Sequence, residues 1–191
     1  MRNELSSLSA REAAARLIGC KLVRELDGKL LSGIIVETEA YDQTDIASHS
    51  YRGMTARNSA MFERGGLAYV YFTYGMHYCM NVVVGKKGYG SGVLIRAVEP
   101  LEGVEQMMEY RKTNHLLSLC NGPAKLAQAL RIDREFNGHD LSKRPLSLEL
   151  NEPLPEKALR WTARIGIKEE PGTELKWRAV LESSKFLSRP L

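Results

Sequence analysis

Apolar and polar positions alternate with a period of two through much of the first hundred residues, which predicts strands. Lys21 to Leu26 has this character, Asp27-Gly28 is a two-residue hairpin turn, and Lys29 to Glu39 returns as the partner strand. The pattern runs past Ile34, Ile35 and Val36 into Glu37-Thr38-Glu39-Ala40-Tyr41, so Glu37, Glu39 and Tyr41 share one face. Leu67 to Phe72 and Tyr78 to Val84 are two further strands around Thr73-Tyr74-Gly75-Met76. Gly85 to Gly92 reads as a turn, and Val93 to Val98 as a strand that Pro100 closes.

Helical signals are fewer. Ser9-Ala10-Arg11-Glu12 fits a capping box ahead of an Ala-rich helix that Gly19 ends. A helix is expected from Leu101 to about Arg111, and another from Pro123, where proline suits the first turn, to Leu130. Leu146 to Leu150 and Lys176 to Leu181 are late strands. Residues 42–66 are polar and irregular, long enough to be a functional loop. With no repeat or low-complexity linker, residues 1–191 form one α+β domain.

Composition removes several classes. A chain of 191 residues that is 43% hydrophobic and 26% charged is not a disordered one. Its three cysteines, Cys20, Cys79 and Cys120, are odd in number and unpaired in spacing, as expected of buried, reduced thiols in a cytosolic or nuclear chain. The first 17 residues contain Glu4 and Glu12 and no apolar core, unlike a secretion signal. Gly65 to Gly85 lacks Asp, Glu, Lys and Arg, but its four Gly, four Tyr, His77 and Asn81 argue for strands, not a membrane span. The charge balance is 27 − 23 = +4 with a pI near 9.0, a modest field compatible with nucleic acid.

Candidate chemistry lies in the middle of the chain. Five of the fourteen aromatics fall between Tyr69 and Tyr78, and four of those are Tyr, which suits a surface that stacks on flat partners. Cross-strand packing explains Tyr69 and Phe72 equally well. It does not explain Tyr74, which stands beside Gly75 at the tip. Glu37 and Glu39, with His49 ten residues after Glu39, suit hydrolysis of a glycosidic bond. The same three match no compact metal-ligand spacing, so no metal is expected. On spacing alone, Glu37 is as well read as a solvated or ion-paired carboxylate, and His49 as a loop histidine bonded to the backbone. No lysine lies between Lys29 and Lys86, so an attacking amine is less suited to this region than water.

These residues also carry a resemblance. Val36-Glu37-Thr38-Glu39-Ala40-Tyr41 is followed in order by Ala47-Ser48-His49-Ser50, Thr55-Ala56-Arg57-Asn58 and Met61-Phe62. Then come Tyr69-Val70-Tyr71-Phe72-Thr73-Tyr74-Gly75-Met76, Cys79-Met80-Asn81, Val93 to Gly103, and Asn121-Gly122-Pro123-Ala124-Lys125-Leu126. Asn137 to Leu141 and Arg164-Ile165-Gly166-Ile167 are later landmarks. The ordered set resembles the alkyladenine (3-methyladenine) DNA glycosylase family across nearly the whole chain. It departs near the end, where Trp177-Arg178-Ala179-Val180 precedes Ser183 to Ser188, and at His77, a position commonly tyrosine.

The resemblance implies a monofunctional DNA repair hydrolase that removes alkylated or deaminated purines from duplex DNA. It implies a curved antiparallel sheet, flanking helices and a protruding DNA-inserting hairpin. In that reading Glu39 activates water, Arg96 helps position it, and the flipped purine stacks between Tyr41 and a wall of His49 and Tyr71. Tyr74 fills the gap in the duplex, Asn81 crowds the exocyclic amine of guanine, and Glu37 is structural. Arg52, Arg57, Lys86 and Lys87 are candidate phosphate contacts. No metal or organic cofactor and no membrane are expected, and the chain is expected to act as a monomer in the cytoplasm or nucleoid (the nucleus in a eukaryote). The rival reading is a non-catalytic lesion- or RNA-binding module, which would keep the tyrosines but would not need Glu39 and Arg96.

Overall fold

The computed structural model describes residues 1–167 and 175–191. It is organised around one long strand. Strands β1 (Lys21–Leu26) and β2 (Lys29–Asp42) form the hairpin expected at Asp27-Gly28, both of which have positive φ. β3 (Ala68–Thr73) and β4 (His77–Val83) form a second hairpin, and β5 (Ser91–Glu102) lies between β4 and β2. β6 (Leu146–Glu149) extends the sheet beyond β1, while β7 (Leu159–Thr162) pairs with β8 (Arg178–Leu181). All neighbours are antiparallel, in the order β3-β4-β5-β2-β1-β6.

β2 is long enough to change partners. Its first half pairs with β1, whereas Glu37, Thr38 and Glu39 pair with β8, and β5 accompanies it along the other edge. The β2–β5 register shifts on both sides of Glu37, and bulges of this kind bend and twist a strand. The sheet therefore curls into a half-barrel. Arg96 is the extra residue of β5 between the pairs Glu37–Ala97 and Thr38–Ile95, which is how it comes to face two carboxylates.

Among the described residues, four α-helices accompany the sheet: α1 (Arg2–Ser7), α2 (Ala10–Leu17), α3 (Val104–Arg111) and α4 (Pro123–Ala129). The capping box at Ser9 and Glu12 is present in full. α2 buries Ala10, Ala13, Ala14 and Leu17 against β2, and Thr38 Oγ1 donates to the Ala14 carbonyl at 2.9 Å. The small alanines allow this close approach, and the fully buried Leu17 contributes about 1.5–3 kcal/mol. The main core also takes in Leu22, Ile35, Met80, Ile95 and Leu126.

Pro100 does not close β5, and α3 begins at Val104, not Leu101. Proline is tolerated because Pro100 lies at a register shift, where Ser32 faces Glu102 and Gly33 faces Pro100. α1 and β7 had no clear signal, being six and four residues long. The three cysteines are free and buried. Among the described residues, no helix is long and apolar enough to cross a membrane.

Candidate active site

The curl of the sheet leaves a cavity of about 240 Å³, lined from the C-terminal end of β2 and from β3, β4 and β5. It is smaller than the roughly 300–1,000 Å³ of drug-sized ligand pockets, a scale that suits a single planar heterocycle. Tyr41, His49, Tyr71, Asn81 and Arg96 all line it, and Tyr74 contributes from the hairpin. Six of the seven residues singled out from sequence thus converge on one cavity. The seventh, Glu39, is fully buried behind the wall, in contact with three residues that form it, Tyr41, Arg96 and Ile165.

Among the described residues, three donors hold Glu39. Tyr41 Oη donates to Oε2 at 2.8 Å, Arg96 Nη1 donates to Oε2 at 3.2 Å, and the backbone N–H of Ile165 donates to Oε1 at 2.7 Å. A carboxylate accepts about four hydrogen bonds, so these three leave one acceptor position on a side chain that is itself fully buried behind the cavity wall. Burial pushes the Tyr41 phenol well above its usual range, and Glu39 adds to the effect, so Tyr41 stays protonated as the donor. Burial works against the Arg96 charge, but Glu39 and Glu37 outweigh it and hold its pKa above the ordinary value.

Glu37 is equally buried and lies off the cavity. Arg96 Nε donates to it at 3.0 Å and Arg178 Nε at 2.7 Å, while Ser188 donates from both its N–H and its hydroxyl at 2.6 Å each. Burial alone would raise the Glu37 pKa; the bonds from Arg178 and Ser188 prevail and lower it. Of the two plain readings, solvated or ion-paired, it is the ion-paired one, with no exposure to solvent.

The aromatic wall comes from β3 and the loop of residues 42–66. The His49 and Tyr71 rings meet edge to face at 4.5 Å, and Tyr71 stacks on Tyr69 at 5.4 Å. His49 bonds through Nδ1 to the Tyr69 hydroxyl at 3.0 Å, so its side-chain partner is a tyrosine and not the backbone. His49 is exposed and lines the cavity, yet desolvation by the groups packed around the ring, and then Arg57, lowers its pKa. Neutral imidazole is thereby favoured. Burial raises the Tyr69 hydroxyl to about 12.

Local bonds explain why this loop is ordered. Asn58 Nδ2 donates to the carbonyls of His49 at 2.8 Å and Gly53 at 3.0 Å, and Ser50 Oγ donates to Gly90 O at 2.8 Å. Gly90 is required here: a Cβ would fall 2.6 Å from Ser50 Cβ and 2.7 Å from Phe62 Cζ. Arg57 Nη2 reaches the Phe72 carbonyl at 3.2 Å and so ties the loop to the hairpin.

Asn81 is buried and donates from Nδ2 to Tyr69 O at 3.4 Å. Tyr69 is buried in the cavity wall, whereas Phe72 pairs across the strands with Tyr78 at 5.1 Å and stays 47% exposed. Tyr74 is 86% exposed, and Met76, two residues on, is 70% exposed. Of the candidate phosphate contacts, Lys87 pairs with Glu63 at 3.1 Å on the surface.

Sequence reasoning missed several supports. Arg164 is buried, forks onto Asp45, donates to Ala40 O at 3.0 Å and stacks over Tyr41 with Cζ 4.7 Å from the ring. Ile165, Asp45 and Ser188 were also unmarked as site residues, and only the run Arg164-Ile165-Gly166-Ile167 gave any signal. No group of three His, Cys, Asp or Glu side chains able to hold a metal ion occurs among the described residues.

Comparison with known proteins gives matches along most of the chain. The sequence profile of the methylpurine-DNA glycosylase family matches residues 4–185. A protein of Carboxydothermus hydrogenoformans, named provisionally as a 3-methyladenine DNA glycosylase, is 49% identical over 177 residues, covering 92% of each chain. Proteins with the same name from Francisella tularensis and Rhodopseudomonas palustris are each 44% identical, over 185 and 190 residues. These matches cover 95% of both chains in the first case, and 100% of this chain and 90% of the relative in the second.

Proposed function

The chain belongs to the methylpurine-DNA glycosylase family, and from that premise we propose that it excises damaged purines, alkylated or deaminated, from duplex DNA. A base inside a duplex is out of reach, so the lesion is flipped into the cavity, with Tyr41 on one side and His49 and Tyr71 on the other. Alkylation gives the purine positive charge, which strengthens its attraction to these rings. Tyr74 enters the minor groove and occupies the space left in the stack, offsetting part of the unstacking cost. Asn81 excludes purines bearing an exocyclic amine where guanine has one.

In the chemical step Glu39 takes a proton from water, whose oxygen bonds to C1′ of the deoxyribose. The bond from C1′ to the purine nitrogen breaks, and its electron pair leaves with the base. An alkylated, cationic purine departs neutral, leaving an abasic site. The negative charge of Glu39 also favours the oxocarbenium-like centre at C1′. Arg96 orients Glu39 and the water.

The observation that carries this reading is the buried Glu39–Arg96–Tyr41 cluster directly behind an aromatic cavity of single-base size. A module that only bound lesions would not need to keep it. The test is incubation with duplexes containing 3-methyladenine, hypoxanthine or ethenoadenine, scored for free base and for alkali-labile sites. Release of base with the strand left intact until alkali treatment is expected. Tight binding of these duplexes without release would favour the non-catalytic module instead.

A further inference from the structure

Glu37 is fully buried, carries a charge and does not reach the cavity, so its part in the site needs a reason. Three donors meet on Oε1: Arg96 Nε at 3.0 Å, Arg178 Nε at 2.7 Å and Ser188 Oγ at 2.6 Å. The backbone N–H of Ser188 adds a bond of 2.6 Å to Oε2. Arg178 is itself fixed by Thr162 Oγ1 at 3.1 Å and by the Arg189 carbonyl at 2.9 Å. The carboxylate is thus held from β8 and from residues 188–189 of the tail.

The consequence falls on Arg96. A guanidinium beside a carboxylate favours a two-bond fork. Here one edge of Arg96 is already engaged, Nε by Glu37 and Nε and Nη2 by Ser188 Oγ at 3.4 and 3.3 Å. Only Nη1 reaches Glu39, at 3.2 Å. A fork on Glu39 would fill the fourth acceptor position of that carboxylate.

We propose that Glu37, locked by Ser188 and Arg178, is a positioning residue that restricts Arg96 to a single bond with Glu39 and so keeps Glu39 able to accept a water. The proposal rests on the assignment of Glu39 as the base. Removing the Glu37 charge frees Arg96 to fork onto Glu39, which slows the chemical step and leaves the aromatic cavity and lesion binding alone.

The test uses the full chain and single-turnover release of 3-methyladenine from methylated duplex DNA. Affinity is measured in parallel on a duplex with a tetrahydrofuran abasic analogue. Glu37→Gln should slow release by about 10- to 100-fold, the scale of a mispositioned catalytic group, with affinity within about twofold of the unaltered protein. Ser188→Ala should slow it by about tenfold, and Ser188→Thr, which keeps the hydroxyl, should restore most of the rate. Because the effect runs through Arg96, Glu37→Gln should cost little further in an Arg96→Lys background, since lysine cannot fork.

Ser188→Ala keeps the test informative should Glu37→Gln fail to fold. The proposal is overturned if Glu37→Gln or Ser188→Ala folds and excises at the unaltered rate. It is overturned equally if affinity falls as much as rate, or if the Glu37→Gln loss persists in full beside Arg96→Lys. Glu39→Gln separates this from the underlying reading. If Glu39→Gln still excises, the base assignment fails and the proposal with it; if Glu39→Gln is inactive while Glu37→Gln is unaffected, only the role of Glu37 fails.

Discussion

Tyr74 should be a residue that the fold would be better without. It has φ +51 and Gly75 has φ +68, with Met76 N–H bonded back to Thr73 O at 3.3 Å. Two positive φ values in succession are what a type I′ hairpin turn demands, and Asn-Gly is the pair that best supplies them. A bulky L-residue in this region costs about 1–2 kcal/mol, less for Asn, whose short side chain tolerates it. At 86% exposure, Tyr74 recovers little of that by burial. Tyr74→Asn is therefore expected to stabilise the protein by about 1 kcal/mol, a rise in melting temperature of about 2–4 °C for a chain of this length.

Function should move the other way. Losing one stacking aromatic costs about 1–3 kcal/mol, roughly a 5- to 150-fold loss of affinity for a lesion duplex. Thermal melting, titration with lesion duplex and single-turnover excision from paired and single-stranded substrates measure both sides. A lower melting temperature would refute the strain argument. Equal excision from a paired lesion by the variant and the unaltered protein would remove Tyr74 from the wedge role.

Three further outcomes are expected. Glu39→Gln keeps shape but loses charge, so single-turnover excision should fall at least about 100-fold while lesion-duplex binding persists; excision near the unaltered rate would exclude Glu39 as the base. Asn81→Ser should allow release of guanine from mispairs, a relaxation of steric exclusion read by chromatography of freed bases; its absence alongside normal hypoxanthine release would clear Asn81 of that role. Asp45→Asn leaves the buried Arg164 charge without its partner, so denaturant unfolding should report a loss of about 3–5 kcal/mol, and a loss under 1 kcal/mol would mean the pair is not as buried as its zero exposure indicates.

Local chemistry made much of this fold legible. The capping box, the Asp27-Gly28 turn and the period-two strands each depend on residues a few positions apart, so α2, the β1–β2 hairpin and the β3–β4 hairpin could be read directly. Resemblance supplied the choice of Glu39, Tyr41, His49, Tyr71, Tyr74, Asn81 and Arg96, and six of these line one cavity while Glu39 backs it. Pro100 misled because the β5 register shift that accommodates proline is a property of two paired strands, not of either alone.

What only the tertiary structure decided is how charge is shared. Glu37 and Glu39 look alike in sequence, two residues apart on one face. Their difference comes from Arg96, Ile165, Arg178 and Ser188, which stand 57 to 151 positions away along the chain. Buried charges are tolerable only where partners meet them at hydrogen-bond distance. Which partners do so is set by the bulge in β2–β5, the pairing of β8 and the path of the tail, none of which has a local signal. The sequence could therefore determine where strands run and which side chains could do chemistry, while the curl of the sheet determined which carboxylate faces the cavity wall and which one holds its arginine.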